Sequence, residues 1–297
     1  MTVRARAVVV AAGALHTPCL LAASGVRGAH LGAHLCLHPT LMIGARYPQR
    51  THPEAGSPLT GIVASFEDID GRGHGARIET PAMPLALSLI LLPWAGGAQF
   101  KRDTLAYPHL ANNIIIVRDA GGGRVARDAS GRMRIDYVPS AADRASALAG
   151  VAGAVRTSYA MGAEKIWGAV VGAAPFERNA GEASEALEAA DPAVRDRRFA
   201  RWLDALRAQG LPNPGTFWGS AHQMSSARMG ASSATGVVDA VGRVFGYEAL
   251  VVADASVLPS AAGVNPMLTV MATAAMISEA LVVRLKEELV QELKGRA

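Results

Sequence analysis

Residues 249–274 read ALVVADASVLPSAAGVNPMLTVMATA, and the way this stretch divides decides the kind of fold the chain can have. ALVV is a short β-branched run that ends in Asp254-Ala255-Ser256, and in α/β folds ligands gather at the carboxyl ends of strands. Asn265-Pro266 then opens a long apolar run, with proline in the first helical turn, where its missing N–H costs nothing. Standing alone, Asn265 reads as an ordinary N-cap.

Upstream, the segment from Pro212 to Gly263 is dense in Gly, Ser, Asp and Val, with short strands expected at GVVD and ALVVADAS. It contains His222 in GSAHQMSSARMG. A lone histidine among small residues is more often structural than catalytic. What sets this one apart is the combination: a histidine, a strand ending in Asp-Ala-Ser, and Asn-Pro opening a helix. Downstream, NPMLTVMATAAMISEALVV runs into RLKEELVQELKGRA, a pattern that predicts a buried helix emerging into solvent.

With 297 residues, half of them apolar, the chain can bury a substantial core. Its net charge of +4 comes from 29 basic and 25 acidic residues without a block of like charge, which argues against a nucleic-acid partner. Cys19 and Cys36 make no disulfide framework, no Cys/His spacing suggests a metal site, and a reducing compartment is favoured. PAMPLALSLILLPWAGG (residues 81–97) is broken by prolines before it reaches the roughly 20 residues of a membrane span. Leu85 to Trp94 can be a core helix or the wall of a channel for an alkyl chain. No transmembrane segment is expected, and the location expected is cytoplasmic or peripheral to a membrane.

The remaining elements follow from local signals. AVVVAA is β-rich and ends at Gly13, and Thr17-Pro18 is a helix-start pair for a helix that stops near Gly25. Leu31 to Ser57, rich in His, Pro and Gly, reads as loop. ARIET, NNIIIVRDA and MRIDYV, separated by turns, predict an antiparallel sheet. Ser140 with Asp143 forms a capping-box pattern that starts a helix running to about Met161. KIWGAVVG reads as a strand, FERNAGEASEALEAAD as a polar connection, and PAVRDRRFARWLDALRAQG as an amphipathic helix closed by Gly210.

Taken together, SAHQMSSARMG and the run from GVVD through VNPMLTVMATA closely resemble the C-terminal signature of the glucose-methanol-choline (GMC) flavin oxidoreductases. Within that family the pattern, together with LCLHPT (residues 35–40), is most similar to the long-chain fatty alcohol oxidase branch. AVVVAAGALHTPCLLAASG resembles the family's second signature. The resemblance implies an α+β fold, an α/β flavoprotein fragment in which an antiparallel substrate-domain sheet flanked by helices joins pieces of an FAD-binding domain. Residues 1–35 would be a segment of the FAD-binding domain, 36–212 the substrate-binding domain, and 213–297 the C-terminal signature region.

The implied chemistry is oxidation of a hydrophobic or long-chain alcohol by hydride transfer to FAD. His222 matches the active-site base, suited by a pKa near neutral, and Asn265 the second active-site position, able to hydrogen-bond the substrate oxygen. Pro266 and Met267 would bring a helix N-terminus to the flavin, while Gly13, Asp254 and Ala255 match positions that approach the cofactor through the backbone.

The family's GxGxxG turn is missing from this sequence, since GGGR at Gly121 to Arg124 sits in a hairpin context. The chain therefore reads as the C-terminal half of a family member, possessing the proton-transfer residues without the main FAD grip. A separate N-terminal FAD-binding polypeptide is one expected partner. A sterol-oxidase-like member, or a non-catalytic remnant that keeps the fold without flavin, are the competing readings. The basic, apolar start has signal-peptide length but no small-x-small cleavage site, and its likeness to an interior strand and turn argues against secretion.

Overall fold

The computed structural model describes residues 2–57, 59, 61–90, 92, 94–170, 172–179 and 196–295. In chain order the elements are β1 (Val8–Val10), α1 (Gly13–Ala23), β2 (Ala33–Leu35), β3 (Thr40–Arg46), β4 (Gly61–Val63), β5 (Ala76–Thr80), α2 (Leu85–Ile90), α3 (Gly97–Leu105), β6 (Leu110–Val117), β7 (Gly123–Arg127), β8 (Met133–Asp136), α4 (Ala141–Ala160), β9 (Lys165–Trp167), β10 (Phe176–Glu177), α5 (Arg197–Gln209), β11 (Leu250–Val252) and α6 (Met267–Lys294). The chain alternates between two units. One comprises Met1–His38, Asp119–Pro139 and Ser220–Ala297; the other comprises Pro39–Arg118 and Ser140–Gly219.

The second unit is built on a six-stranded sheet in the order β10-β9-β3-β6-β5-β4, antiparallel at each pairing. Period-two alternation in β3 and β6 sends Leu41, Ile43, Ile115 and Val117 to one face, where they meet Ala147, Val151 and Val155 of α4 and Phe199 and Leu203 of α5. α4 starts with the expected capping box, Ser140 Oγ accepting from the Asp143 N–H and the Asp143 carboxylate accepting from the Ser140 N–H. α5 is capped by Asp196, and Gly210 ends it at φ 64°. On the opposite face Trp167 lies across Gly44, so close that a Cβ there would come within 2.3 Å of the indole.

Three readings of this region are corrected. The span Leu31 to Ser57 is not simply loop: it holds β2 and the seven-residue strand β3. Flanking prolines and the interior glycine hid the strand, although that glycine is the space Trp167 requires. MRIDYV does not join ARIET and NNIIIVRDA; β8 pairs with β7 in the other unit, because the chain crosses after Arg118. GVVD contributes only two isolated bridges at Val238, one to Met229 and one to Val244. The polar connection over residues 180–195 and the start of the PAVRD helix lie outside the described residues.

In the first unit β1 and β11 form a two-stranded parallel sheet, and β2-β7-β8 an antiparallel one. Val10, Leu21, Val238, Val251, Val252 and Val257 share a core with Ile277 of α6. α1 begins at Gly13, not at Thr17-Pro18, and Pro18 lies inside it. The reason is a distant carboxylate: Asp254 accepts from the Gly13 N–H (2.9 Å) and from the Thr17 hydroxyl (2.6 Å), satisfying the helix start from outside the local sequence.

α6 also differs from expectation. Within it only Ile277 is buried, and Met267, Leu268 and Met271 are exposed. By length and composition α6 could cross a membrane, a property shared by core helices of soluble proteins.

The packing sets an order of sensitivities. Gly44→Ala is expected to cost about 1–3 kcal/mol by overpacking against the indole, and Ser140→Ala about 1 kcal/mol by loss of the cap. Urea midpoints of the two variants, compared with the parent chain, check both.

Candidate active site

The site begins with two backbone hydrogen bonds. The Cys36 N–H donates to Met224 O (3.0 Å) and the Met224 N–H donates to Cys36 O (2.9 Å), an antiparallel bridge in the first unit. In antiparallel pairing, residues two beyond on one chain and two before on the other come opposite. That places His38 against His222, whose Nδ1 atoms are 3.2 Å apart with the rings edge to face.

His38 is fully buried, while His222 is half-buried. His38 has φ 45°, a left-handed conformation that costs of order 1–3 kcal/mol and persists where the surroundings over-determine it. Asp119 supplies the constraint. Its carboxylate accepts from the N–H groups of Leu37 (3.0 Å) and His38 (3.1 Å) and from the Tyr137 hydroxyl (2.8 Å). Burial nevertheless dominates, and it pushes the Asp119 carboxyl above the ordinary aspartate range against these bonds.

The third wall is the turn before α6. The backbone N–H of Gly263 donates to Nε2 of His38 at 3.0 Å. A backbone N–H can only donate, so neutral His38 carries its proton on Nδ1 and offers it to Nδ1 of His222. His222 then holds its own proton on Nε2. Asn265 follows two residues after Gly263, Pro266 occupies the N-cap position of α6, and Met267 is its first, exposed residue. The helix start has no side-chain cap and no acidic residue in its first turn, which leaves its N-terminal dipole for an anionic group.

Gly13, Asp254 and Ala255 stand at the carboxyl ends of the parallel strands β1 and β11. Gly13 has φ 79° and open space in front of its Cα, a backbone surface a ligand can approach. Both Asp254 oxygens are engaged, Oδ2 by Gly13 and Thr17 and Oδ1 by the Ser256 N–H at 2.8 Å, so this carboxylate shapes the turn. The His222 segment is laced to this turn, with Ser225 N donating to Ala255 O (3.1 Å) and Ala227 N to Ser256 O (2.9 Å). The residues present therefore fit FAD: an open glycine, strand ends and an uncapped helix start. Among the described residues no cluster of His, Cys, Asp or Glu could hold a metal ion.

Family models described as GMC oxidoreductase match residues 123–274 and residues 1–40. The chain belongs to the GMC oxidoreductase family. GMC oxidoreductases are FAD-binding flavoproteins. The chain is 33% identical over 288 residues to the long-chain-alcohol oxidase FAO3 of Arabidopsis thaliana, covering 94% of this chain and 36% of that protein. It is 30% identical over 282 residues to the GMC-type oxidoreductase y4nJ of Sinorhizobium fredii, covering 94% of this chain and 50% of the relative. It thus spans about a third to a half of the length of these curated relatives.

Among solved structures, formate oxidase of Aspergillus oryzae superposes with a TM-score of 0.61 at 14% identity, over 95% of this chain and 55% of that one. Pyridoxine 4-oxidase from Mesorbium loti gives 0.57 at 17%, over 92% and 51%. These likenesses show the fold.

His38 was not singled out as a functional residue from sequence, although it lies in LCLHPT, and Asp119 carried no signal beyond a turn. Asp119→Asn is expected to cost about 1–3 kcal/mol, since one amide oxygen cannot serve both backbone donors. The sign of the pH effect follows from the raised carboxyl. The folded state holds the proton more tightly than the unfolded state, so this group's contribution to stability falls as pH rises from the ordinary aspartate value toward the raised one. Melting temperatures across the acid range should show that fall in the parent chain and its loss in Asp119→Asn.

Proposed function

We propose that the chain forms the proton-handling and helix-dipole part of an FAD-dependent enzyme that oxidises a long-chain or hydrophobic primary alcohol to the aldehyde. The observation that carries this reading is the imidazole pair His38–His222, held by Gly263 at the turn that leads through Asn265 into the uncapped start of α6. The long-chain alcohol is the substrate class printed in the name of the Arabidopsis relative FAO3, and it is transferred here as a proposal.

FAD, when bound, accepts the hydride from the carbinol carbon. The chain's residues manage the hydroxyl proton. In the tautomer set by His38, His222 offers Nε2–H to the alcohol oxygen. To take the hydroxyl proton on that nitrogen, the pair adopts the opposite tautomers: His38 passes its Nδ1 hydrogen to Nδ1 of His222, His222 releases its Nε2 hydrogen to solvent, Nε2 of His38 takes one from solvent, and the Gly263 bond breaks. His38 thus controls when His222 can be a base. The Asn265 amide donates to the oxygen as negative charge develops on it. The backbone at Gly13, Asp254, Ala255, Pro266 and Met267 holds the cofactor.

The pyrophosphate grip is proposed to come from a family N-terminal segment with the GxGxxG turn, supplied on the same or a separate polypeptide. The 297-residue chain is accordingly expected to retain far less than one equivalent of FAD, read from flavin absorbance after purification, and to gain it when that segment is added. In the completed enzyme His222→Ala should lower kcat by about 10²–10⁴ and Asn265→Leu by about 10²–10³. Unchanged turnover of fatty alcohols in the His222 variant would falsify the assignment.

A further inference from the structure

The antiparallel sheet β2-β7-β8 of the first unit ends on β8, which among the described residues pairs with β7 alone. Met133, Arg134, Ile135 and Asp136 are all exposed, and so is Val138 beyond them. An open strand edge is a row of backbone donors and acceptors ready to pair with another chain. No proline blocks this one.

The hairpin fixes which groups the edge offers. At its turn the Asp128 N–H donates to Arg132 O (2.8 Å) and the Gly131 N–H donates to Asp128 O (2.9 Å), so residues 128 and 132 form a hydrogen-bonded pair. From there the register runs 127 with 133, 126 with 134, 125 with 135 and 124 with 136. Hydrogen-bonded pairs alternate along an antiparallel ladder. Arg134 and Asp136 therefore direct their backbone groups at β7, while those of Met133 and Ile135 point outward. The far side of β7 agrees: Val125, opposite Ile135, donates its N–H to Gly32 O at 2.7 Å, away from β8.

Charge then decides what the edge can accept. Arg134 and Asp136 stand on one face of β8 and pair with each other at 2.9 Å, with both side chains more than half exposed and able to re-pair. Let a second copy of β8 lie antiparallel with Ile135 opposite Ile135. The two isoleucines exchange backbone hydrogen bonds, and Arg134 of each copy faces Asp136 of the other in the close pairs where side chains lie nearest. Sliding one copy by two residues opposes Arg134 to Arg134 in one direction and Asp136 to Asp136 in the other, and like charges directly opposite are destabilising. In the register centred on Ile135 the edge is thus complementary to itself, as a two-fold interface requires. We propose that a second copy of this chain docks edge to edge on β8, joining two three-stranded sheets into one of six strands, with Met133 and Ile135 adding apolar contact on the face opposite the charges. The pairing does not draw on the alcohol-oxidation reading.

The test is sedimentation equilibrium of the 297-residue chain. An edge of this length buries little surface, so a dissociation constant of about 1 µM to 1 mM is expected. Arg134→Asp and Asp136→Arg, both at exposed positions, should each weaken self-association at least tenfold with unchanged thermal midpoints. An equimolar mixture of the two variants should associate like the parent, because it restores opposite charges at both positions. Amide exchange at Met133 and Ile135 should slow as chain concentration rises. A chain that stays monomeric throughout that range, single reversals that associate like the parent, or a mixture no tighter than either variant alone would overturn the proposal. So would a monomeric chain whose Met133 and Ile135 amides become protected when the family N-terminal segment is added, since the edge would then belong to that segment.

Discussion

The candidate site depends on one antiparallel bridge. Two backbone hydrogen bonds join Cys36 to Met224, and pairing geometry then sets His38 opposite His222, side chains 184 positions apart in the chain. Neither histidine's own neighbours could achieve this. The Asp119 carboxylate adds the second constraint, tying down the backbone of Leu37 and His38 and holding the latter in a left-handed conformation. The Gly263 N–H adds the third and selects which ring nitrogen carries hydrogen. These restraints all act within the first unit, so the imidazole pair is assembled by long-range contacts among three separated chain segments.

Asp254 performs a comparable task at the strand ends. One carboxylate accepts from the start of α1 through Gly13 and Thr17, and from Ser256 in its own turn. It thereby ties the end of β11 to the glycine that follows β1. Replacing a local N-cap with a remote carboxylate frees Gly13 to sit at positive φ facing open space, and it moves the helix start four residues ahead of the Thr17-Pro18 signal. The active-site reading and the helix-boundary error share this cause.

Elements marked by a cap, a glycine stop or a β-branched run were legible. The capping box at Ser140 and the Gly210 stop appear where the sequence places them, ARIET coincides with β5, and NNIIIVRDA overlaps β6 as far as Val117. β3 was not legible, because its interior glycine reads as a breaker until Trp167, from a strand more than a hundred residues on, is seen lying across it. The partner of β8 was likewise hidden, since nothing in the local pattern marks the crossing after Arg118 that sends it to another sheet. The exposure of α6 could not be read from its apolar residues either: periodicity says which face of a helix is apolar, and only the surrounding structure says whether that face is covered.

By itself the sequence determined the family, through the spacing of SAHQMSSARMG, LVVADAS and VNPMLTV, and it nominated His222, Asn265 and the strand-end residues. Such spacings survive in sequence because each motif is a local turn or helix start. The tertiary structure alone decided that His38 stands beside His222 and that Asp119 and Gly263 fix its backbone and its tautomer. Those outcomes depend on which distant segments meet, and the free energy of such a contact depends on burial and partner geometry, which no local pattern of residue types records.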